Sequence, residues 1–512
     1  MLAKIFSFGV RGVQGYPVLV ELDLANGLPA YATVGLPDSA VRESRERVTA
    51  AVRNSGYRFP GKRITVNLAP AQARKEGTHF DLPIALALLS ASGQLAAGDW
   101  SGRYCFIGEL ALDGALRPVP GVTAMALQAR EQGFEGIVIP AANAAEARAV
   151  GLPAYGASSL REVTDFLRAG GPFPPAPAPP AEALPQPAAE DLSEVKGQSL
   201  AKKALEIAAA GGHNILLIGP PGVGKSMLAR RLVGLLPPLT PGEALEVTRV
   251  HSVSQKAGAA AGLATARPFR APHHTSSHVS LIGGGPSARP GETSLAHGGV
   301  LFLDELAEFN RPARESLRQP LEEGRVCIAR ARDSVEYPAR FLLAAATNPC
   351  PCGWRGHPQR PCVCTPPAVA KYLSRLSGPL LDRIDLQVEL SPLAFSEWAQ
   401  TPEASPEEST AVVRARVLEA RKLQRRRFES SDFAVNAYIP ARLLRKHCFL
   451  DPKALELLEL TAGRLALSAR GLDRLLRVAR TIADLDGSRA VRSQDLAGAS
   501  RFRSLDSLAA AV

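Results

Sequence analysis

The sequence predicts a multidomain α/β protein, and three features of its 512 residues support that prediction. In residues 172–187, eight of sixteen positions are proline and half of the others are alanine, which is typical of an extended linker. Beyond the linker, short apolar runs alternate with helical patterns, as they do around a buried parallel sheet. From about Leu393 onward the pattern is helical throughout. We therefore expect a mixed α+β domain over 1–170, the linker over 171–189, an α/β core over 190–395 and a helical domain over 396–512.

The composition excludes several classes of protein. With 46% hydrophobic and 21% charged residues, the chain is neither wholly disordered nor collagen-like. Its longest apolar candidate, residues 84–89, is far shorter than the ~20 residues that span a membrane. The N-terminus lacks the long apolar core and the cleavage site of a signal peptide. We therefore expect a cytoplasmic protein with no membrane partner.

The net charge of +11 is distributed unevenly along the chain. Residues 1–187 carry 17 Lys and Arg against 16 Asp and Glu, so ten of the eleven excess positive charges follow the linker. Any polyanionic partner is therefore expected to contact the part of the chain after residue 187.

The N-terminal segment alternates strand-like and helix-like patterns. Residues 64–70 (ITVNLAP) and 136–140 (GIVIP) are predicted strands. Residues 39–56 form a predicted helix with a Ser cap and a closing Gly, and residues 81–92 form a second one.

A phosphate-binding loop follows the first apolar run after the linker. The sequence GPPGVGKS matches G-x-x-x-x-G-K-[ST], with an apolar strand before it and a helix after it. Its backbone N–H groups are expected to surround the phosphates of ATP, Lys225 to reach the β and γ phosphates, and Ser226 to hold Mg²⁺. The predicted binding residues are Gly219, Pro220, Pro221, Gly222, Val223, Gly224, Lys225 and Ser226.

Two further strand ends carry polar groups suited to NTP hydrolysis. The run VLFLDE ends in Asp304, expected to orient Mg²⁺, and Glu305, expected to polarise the attacking water. Taken alone, such a pair is often only a helix cap. Asn348 ends the run 340–348 and fits the sensor position of AAA+ ATPases, although an isolated Asn at a strand end is usually a turn residue.

Arginines are needed to neutralise charge in phosphoryl transfer. Arg383, in SGPLLDRIDLQVEL, and Arg470, ahead of an amphipathic helix, are the candidates. Either of them, without further context, is also compatible with a surface ion pair.

Four of the seven cysteines fall within fifteen residues. Cys350, Cys352, Cys362 and Cys364 offer four thiols for a tetrahedral, structural Zn²⁺ site, with His357 as a substitute ligand; uncoordinated thiols are the alternative.

Taken together, these motifs resemble those of the magnesium-chelatase-like AAA+ ATPases of the ComM/YifB competence group. The stretches that carry the resemblance include VGLPDSAVRESRERVTAAVRNSG, NLAPAQARKEGTHFDLPIALALL, RPFRAPHH, PGETSLAHGGVLFLDEL, NPCPCG and SRLSGPLLDRID. It implies an N-terminal domain with the ribosomal-S5/Lon-protease-like α+β fold, an AAA+ P-loop core and a C-terminal helical lid, assembled as a hexameric ring. It also implies that Arg383 is an arginine finger acting in trans and that Arg470 is the lid sensor, with Arg474 as the competing candidate.

The same resemblance implies an ATP-driven motor that extends branched recombination intermediates in natural transformation. The expected partners are further copies of the chain, single-stranded or branched DNA, and recombination proteins. Two alternatives stay open: a chelatase-type motor that remodels a protein partner without DNA, and a nucleotide-gated scaffold.

Three basic segments are candidates for DNA contact. Residues 323–341 are predicted to form a β-hairpin with Arg330 and Arg332 near its tip, and the glycine-rich insertion that begins with RPFRAPHH carries Arg267, Arg270 and Arg289. In that insertion we expect His273, His274 and His278 to form hydrogen bonds within the fold rather than to bind a metal. The seven Lys and Arg of residues 414–427 are spread around a helix, which favours a solvated surface over phosphate binding.

A Lon-like fold raises the possibility of a serine–lysine protease. Where that pattern requires Ser and Lys, the chain has His79 and Thr123, so we expect no proteolytic activity.

Overall fold

The computed structural model describes residues 1–96, 98–169, 190–254, 262–285, 288–329, 334–376, 378–393, 407–431, 433–465 and 467–503. The predicted linker, residues 171–189, lies outside the described residues. Within these ranges, the helices are all too short or too polar to cross a bilayer.

The N-terminal part contains a four-stranded and a three-stranded sheet. The first has the order β1-β2-β4-β3, with β3 parallel to β4 and the other pairs antiparallel. Its strands are β1 (Leu2–Arg11), β2 (Gln14–Ala25), β3 (Ala30–Val34) and β4 (Arg63–Ala69). The second sheet is parallel and consists of β5 (Tyr104–Phe106), β8 (Gly136–Pro140) and β9 (Ala154–Ala157). A short antiparallel pair joins β6 (Glu109–Leu110) to β7 (Leu116–Arg117).

The helices of this part pack against the sheets in two apolar clusters. They are α1 (Ser39–Arg42), α2 (Ser44–Asn54), α3 (Asp81–Ala91), α4 (Trp100–Arg103), α5 (Val122–Glu131), α6 (Ala144–Arg148) and α7 (Leu160–Ala169). The structure confirms the predicted strands at 64–70 and 136–140 and the helix at 81–92. The helix predicted over 39–56 is divided at Glu43 into α1 and α2, and α2 ends at Asn54.

The core is a five-stranded parallel sheet of order β11-β14-β17-β10-β18. These strands are β10 (Ile215–Ile218), β11 (Phe269–Arg270), β14 (Val300–Leu303), β17 (Leu342–Thr347) and β18 (Leu386–Glu389). Side chains of β10 alternate between two apolar clusters, one on each face of the sheet, so every position of the strand is buried. Burial on both faces explains why these strands appear in the sequence as continuous apolar runs.

Helices and two short strand pairs surround this sheet. The helices are α8 (Ser199–Gly211), α9 (Lys225–Leu235), α10 (Pro241–Val253), α11 (His278–Ile282), α12 (Glu292–Leu295), α13 (Arg311–Ser316), α14 (Arg318–Glu323), α15 (Pro366–Leu373) and α16 (Gly378–Leu381). The antiparallel pairs are β12 (Gly283–Gly284) with β13 (Arg289–Pro290) and β15 (Arg325–Ala329) with β16 (Ser334–Pro338). The second pair confirms the predicted hairpin.

The C-terminal part is helical, as predicted, from residue 410 onward. Its helices are α17 (Thr410–Arg427), α18 (Ala441–His447), α19 (Pro452–Arg464), α20 (Ala469–Leu485) and α21 (Ser493–Ser500). Their apolar faces join α8, α9 and one face of the core sheet in a single hydrophobic cluster.

The N-terminal part docks directly on the core. Arg249 of α10 donates two hydrogen bonds, of 2.8 and 3.2 Å, to the carbonyl oxygen of Val13 in the β1–β2 turn. The Gly121 N–H donates to the Ser252 carbonyl at 3.0 Å, and the Ser252 hydroxyl donates to the buried Glu146 carboxylate at 2.6 Å. These contacts fix the N-terminal part against α10 without involving the linker.

Candidate nucleotide site

The phosphate-binding loop connects the carboxyl end of β10 to the first residue of α9. Gly222 and Gly224 have φ angles of 81° and 92°, a left-handed conformation that favours glycine, and no heavy atom lies within 4 Å of a Cβ built on either. At Gly219 a Cβ would lie 2.8 Å from the carbonyl oxygen of Leu390, so this position also requires glycine. The loop is therefore a tight turn that glycine adopts without strain, and the space beside Gly222 and Gly224 is open, which fits a phosphate cradle.

Lys225 lies at the centre of the site. Its ammonium donates hydrogen bonds to the carbonyl oxygens of Gly219 at 2.5 Å and Pro220 at 2.9 Å, and to Oδ1 of Asn348 at 3.0 Å. Burial lowers the pKa of Lys225, and the nearby carboxylates of Asp304 and Glu305 oppose that shift. The structure thus brings Lys225 and Asn348 together although 123 residues separate them.

Ser226 and Asp304, the two residues predicted to bind Mg²⁺, are in direct contact. The Ser226 hydroxyl donates to Oδ2 of Asp304 at 2.8 Å. The two oxygen atoms come from the first turn of α9 and the end of β14, which meet because parallel strands have their carboxyl ends at the same edge of the sheet. Mg²⁺ takes oxygen ligands, usually one or two from protein together with phosphate oxygens, so this donor set fits the ion.

Glu305 follows Asp304 with a φ of 51°, an uncommon backbone conformation for a residue with a side chain. Its Oε2 lies 2.9 Å from Nδ1 of His274. No pattern in the sequence indicates this contact, although His274 belongs to the RPFRAPHH stretch. The neighbouring His273 forms the expected hydrogen bond within the fold, at 2.9 Å from the hydroxyl of Thr275.

Arg383 lies at the opposite edge of the sheet from the phosphate loop. Its carbonyl oxygen accepts a 2.8 Å hydrogen bond from Asn214, the residue immediately before β10. Because β10 has four residues, its first and last Cα atoms are about 10 Å apart at about 3.3 Å per residue. The Arg383 guanidinium binds Glu322 and, at 2.6 Å, the Pro379 carbonyl oxygen. Arg383 is therefore not part of the nucleotide site of its own chain.

Both lid candidates share a cavity with Arg383. This cavity of about 440 Å³ is lined by Arg383, Arg470, Arg474 and acidic groups that include Asp385. Arg474 is buried, with Nε 3.7 Å from the Asp385 carboxylate, whereas Arg470 is exposed. Burial by itself would raise the pKa of Asp385. The contacts with His213 and Arg474 favour the ionised carboxylate more strongly, so the pKa of Asp385 is lowered. The role of lid sensor at Arg470 or Arg474 stays a prediction.

The arginines proposed for DNA contact have different environments. Arg267 is 12% exposed and binds Glu243 at 3.1 Å as well as backbone carbonyl oxygens. Arg270 forms a bidentate ion pair with Glu292, with hydrogen bonds of 2.6 and 3.0 Å. Both guanidinium groups are thus already paired with carboxylates of their own chain. A role for Arg267 and Arg270 in DNA contact stays a prediction. Arg330 and Arg332 lie outside the described residues.

The basic helix α17 is only partly a solvated surface. Arg416 binds Glu206 at 2.5 Å, Arg421 donates to the Ala209 carbonyl oxygen at 2.7 Å, and Arg427 binds Asp484 at 2.5 Å. These three arginines attach α17 to α8 and α20, so they correct the expectation of a fully solvated helix.

The four clustered cysteines converge as the sequence predicted. The Sγ atom of Cys350 lies 3.4 Å from that of Cys352 and 3.6 Å from that of Cys362, and all four thiols lie within 4.8 Å of one another. In a tetrahedral site with Zn–S bonds of about 2.3 Å the sulfur atoms are about 3.8 Å apart, so the donor set fits Zn²⁺. His357 is not part of the cluster, since its Nδ1 accepts hydrogen bonds from the Gln359 and Arg360 N–H groups.

His79 and Thr123 are both buried in the N-terminal part. Burial lowers the pKa of His79 to about 4, and the Thr123 hydroxyl donates to Glu146 at 3.3 Å. The absence of protease activity stays a prediction.

Comparison with known proteins identifies the family to which the sequence is similar. Residues 191–398 match "Magnesium chelatase, subunit ChlI", residues 20–143 match "Subunit ChlI of Mg-chelatase", and residues 407–503 match its C-terminal region. Protein YifB of Salmonella typhimurium is 45% identical over 99% of this chain and 98% of its own length. Competence protein ComM of Haemophilus influenzae is 43% identical over 98% of both chains.

A more distant relative matches part of the chain. It is the Holliday junction branch migration complex subunit RuvB of Saccharopolyspora erythraea, which is 29% identical over 31% of this chain and 38% of its own length. Since YifB and ComM match over nearly the whole of both chains, the chain belongs to the magnesium-chelatase-like family that includes these two proteins.

Proposed function

We propose that the chain is an ATP-hydrolysing, Mg²⁺-dependent motor. The observation that carries the proposal is the meeting of Lys225, Ser226, Asp304 and Asn348 at one edge of the sheet, with Glu305 beside them. Lys225 binds the phosphates, Ser226 and Asp304 hold Mg²⁺, Glu305 accepts a proton from the attacking water and Asn348 orients that water. Family membership supports ATP as the nucleotide.

The motor is a ring of identical subunits, with six as the proposed number. Arg383 and Glu305 belong to opposite edges of one sheet, so an arginine that completes a nucleotide site does so on the neighbouring copy. Arg470 and Arg474 line the same cavity as Arg383, and the exposed Arg470 is the one that a neighbouring copy can reach. Hydrolysis in this arrangement depends on assembly.

The substrate is single-stranded or branched DNA, and the activity is helicase or branch migration of recombination intermediates. The names of two relatives support a DNA substrate. ComM is named a competence protein, and RuvB is named a subunit of a Holliday junction branch migration complex. Recombination proteins are the proposed partners. The excess of basic residues after the linker supports a polyanionic substrate, because such contacts need only charge and not base sequence.

The alternative is a chelatase-type motor that remodels a protein partner without DNA, which the family name itself supports. DNA-stimulated ATP hydrolysis that falls steeply with salt supports the DNA motor. Hydrolysis that single-stranded and forked DNA both leave unchanged supports the alternative.

The deciding experiment is ATP-dependent branch migration of a labelled three-stranded DNA junction by the full chain. We expect Lys225→Ala and Glu305→Gln to abolish turnover, whereas Lys4→Ala, which changes an exposed lysine of β1 that pairs with Glu21 of β2, should be as active as the wild type. Wild-type ATP hydrolysis in the Lys225 or the Glu305 variant contradicts the assignment of the site.

We also propose that the cysteine cluster holds one structural Zn²⁺. Four thiolates close the coordination sphere and leave no position for a reacting water, so the metal stabilises the loop after Asn348 and takes no part in hydrolysis.

A further inference from the structure

The segment between the two cysteine pairs, residues 353–361, forms an exposed loop, which we call the cysteine loop. The cluster closes both of its ends, because all four thiols lie within 4.8 Å of one another. The loop carries Arg355 and Arg360, and both are exposed. Between them, a Cβ built on Gly356 would have no heavy atom within 4 Å. The loop is thus held at its base and open to solvent around its two arginines.

The positive charge of the cysteine loop is not offset by acidic residues nearby in the sequence. Residues 337–381 contain five Lys and Arg and no Asp or Glu. Within the described ranges, the guanidinium groups of Arg355 and Arg360 form no ion pair with a carboxylate. Arg267 and Arg270, by contrast, are both paired with glutamates. The two loop arginines are therefore available to an anionic partner.

The indole ring of Trp354 supports one of these arginines. The guanidinium carbon of Arg360 lies 4.4 Å from the centroid of the Trp354 ring, in a cation–π contact. The ring of His357 meets the indole edge-on, with the centroids 5.2 Å apart, and its Nδ1 accepts a 3.0 Å hydrogen bond from the Arg360 N–H. A guanidinium that stacks through its face keeps its N–H groups free, because they lie in its plane. Arg360 is therefore held in an orientation that suits a phosphate.

We propose that the cysteine loop is a contact surface for the phosphate backbone of single-stranded DNA, with Arg355 and Arg360 each binding a phosphate. The proposal rests on the DNA substrate of the proposed function. Charge complementarity carries it, because exposed cations without carboxylate partners bind a polyanion by releasing its counterions and need no particular base sequence. A loop that is closed at both ends also loses less conformational entropy on binding than an open one.

ATP is the other polyphosphate near the cysteine loop, since the loop begins five residues after Asn348. The cradle of the proposed ATP site, however, consists of backbone N–H groups and Lys225, whereas the two loop arginines are exposed. The two partners predict different measurements. An arginine that binds ATP changes the affinity for the nucleotide, whereas one that binds DNA changes the salt dependence of DNA binding.

The test measures binding of the full chain to a fluorescein-labelled single-stranded DNA, by anisotropy over a range of salt concentrations with a non-hydrolysable ATP analogue present. Each phosphate contact contributes about 0.7 to the slope of the logarithm of the association constant against that of the salt concentration. We expect Arg355→Ala combined with Arg360→Ala to reduce the magnitude of this slope by about 1.4. The affinity for a fluorescent ATP analogue should stay at the wild-type value. Arg355→Lys combined with Arg360→Lys keeps both charges and should retain most of the wild-type slope.

The matched control combines Arg58→Ala with Arg63→Ala, which removes two exposed arginines from the nearly neutral part before the linker. Its slope should equal that of the wild type.

Each outcome decides a separate question. An unchanged slope in the alanine variant of the loop, an equal loss in the control, or no recovery in the lysine variant overturns the cysteine loop as a DNA contact. DNA binding by the wild type in the same assay leaves the proposed substrate intact. Weaker binding of the ATP analogue by the alanine variant also overturns the proposal, because the arginines then act on the nucleotide site. A wild-type protein that binds no single-stranded DNA overturns both this surface and the proposed DNA substrate.

Discussion

The backbone of Gly353 lies directly against the ring of Pro221. A Cβ built on Gly353 would be 2.9 Å from Cδ of Pro221 and 3.9 Å from Cγ of Asn348. Gly353 follows Cys352, and Pro221 is in the phosphate-binding loop. The cysteine cluster therefore touches the nucleotide site at the loop and close to the predicted sensor residue.

This contact predicts a specific defect in Gly353→Ala. The methyl group must displace the phosphate-binding loop, so we expect weaker ATP binding, measured by titration with a fluorescent ATP analogue. Gly356→Ala is the matched control: Gly353 and Gly356 have φ angles of 81° and 79°, but no heavy atom lies within 4 Å of a Cβ at Gly356. Both variants lose about 1–2 kcal/mol of stability to the left-handed backbone. Equal affinities in the two variants would show that the contact does not influence the loop.

A second prediction concerns the metal. We expect protein purified without chelator to contain about one equivalent of zinc by elemental analysis, and Cys362→Ser to lower that content and the midpoint of thermal unfolding. Cys327→Ser serves as the control, because Cys327 is exposed and lies outside the cluster. Wild-type protein with less than about half an equivalent contradicts the zinc site.

The sequence was sufficient for the parts of the site that lie at strand ends. Lys225, Ser226, Asp304 and Asn348 each follow a buried apolar run, and parallel strands bring such positions to one edge. The phosphate loop and the order of the strands were therefore enough to predict that these side chains meet.

Contacts between a loop and a distant partner could not be predicted in this way. Arg267 and Arg270 are basic residues in a glycine-rich insertion, which favoured DNA contact, but their partners Glu243 and Glu292 lie 24 and 22 residues away in the sequence. No periodicity links these pairs. The contact of His274 with Glu305 could not be predicted for the same reason, because it depends on how the insertion folds back over the end of β14.

A third prediction concerns the contact between the N-terminal part and the core. Burial is the largest influence on Glu146 and raises its pKa, whereas the hydrogen bond from Ser252 is the strongest of several that lower it. Ser252→Ala removes that bond, so the pKa of Glu146 rises further and its ionised form becomes more costly in the folded protein. We therefore expect the variant to weaken the contact more at pH 8 than at pH 5, where a larger fraction of Glu146 is protonated.

Hydrogen exchange at the amide of Gly121 measures this effect directly, because that N–H donates to the Ser252 carbonyl across the contact. Faster exchange with a stronger pH dependence than in the wild type is the expected result. Ser254→Ala is the control, since among the residues that the structure describes the Ser254 hydroxyl bonds to His251 of its own helix alone. Identical exchange in the wild type and Ser252→Ala at both pH values would mean that the Glu146 network does not hold the two parts together.

The placement of Arg383 at the edge opposite the phosphate loop predicts complementation between inactive subunits. Lys225→Ala lacks the phosphate-binding ammonium but keeps Arg383, and Arg383→Ala has the reverse defect. If Arg383 acts on the neighbouring copy, a mixed ring contains sites that combine an intact Lys225 with an intact Arg383. Equal mixing should then restore about a quarter of the wild-type ATPase rate, because that fraction of subunit interfaces pairs the two intact groups.

The control mixes Lys225→Ala with Glu305→Gln, whose defects lie in the same site and should not complement each other. Recovery in the test mixture but not in the control means that Arg383 acts on the neighbouring copy, whereas no recovery in the test mixture assigns Arg383 a role within its own subunit.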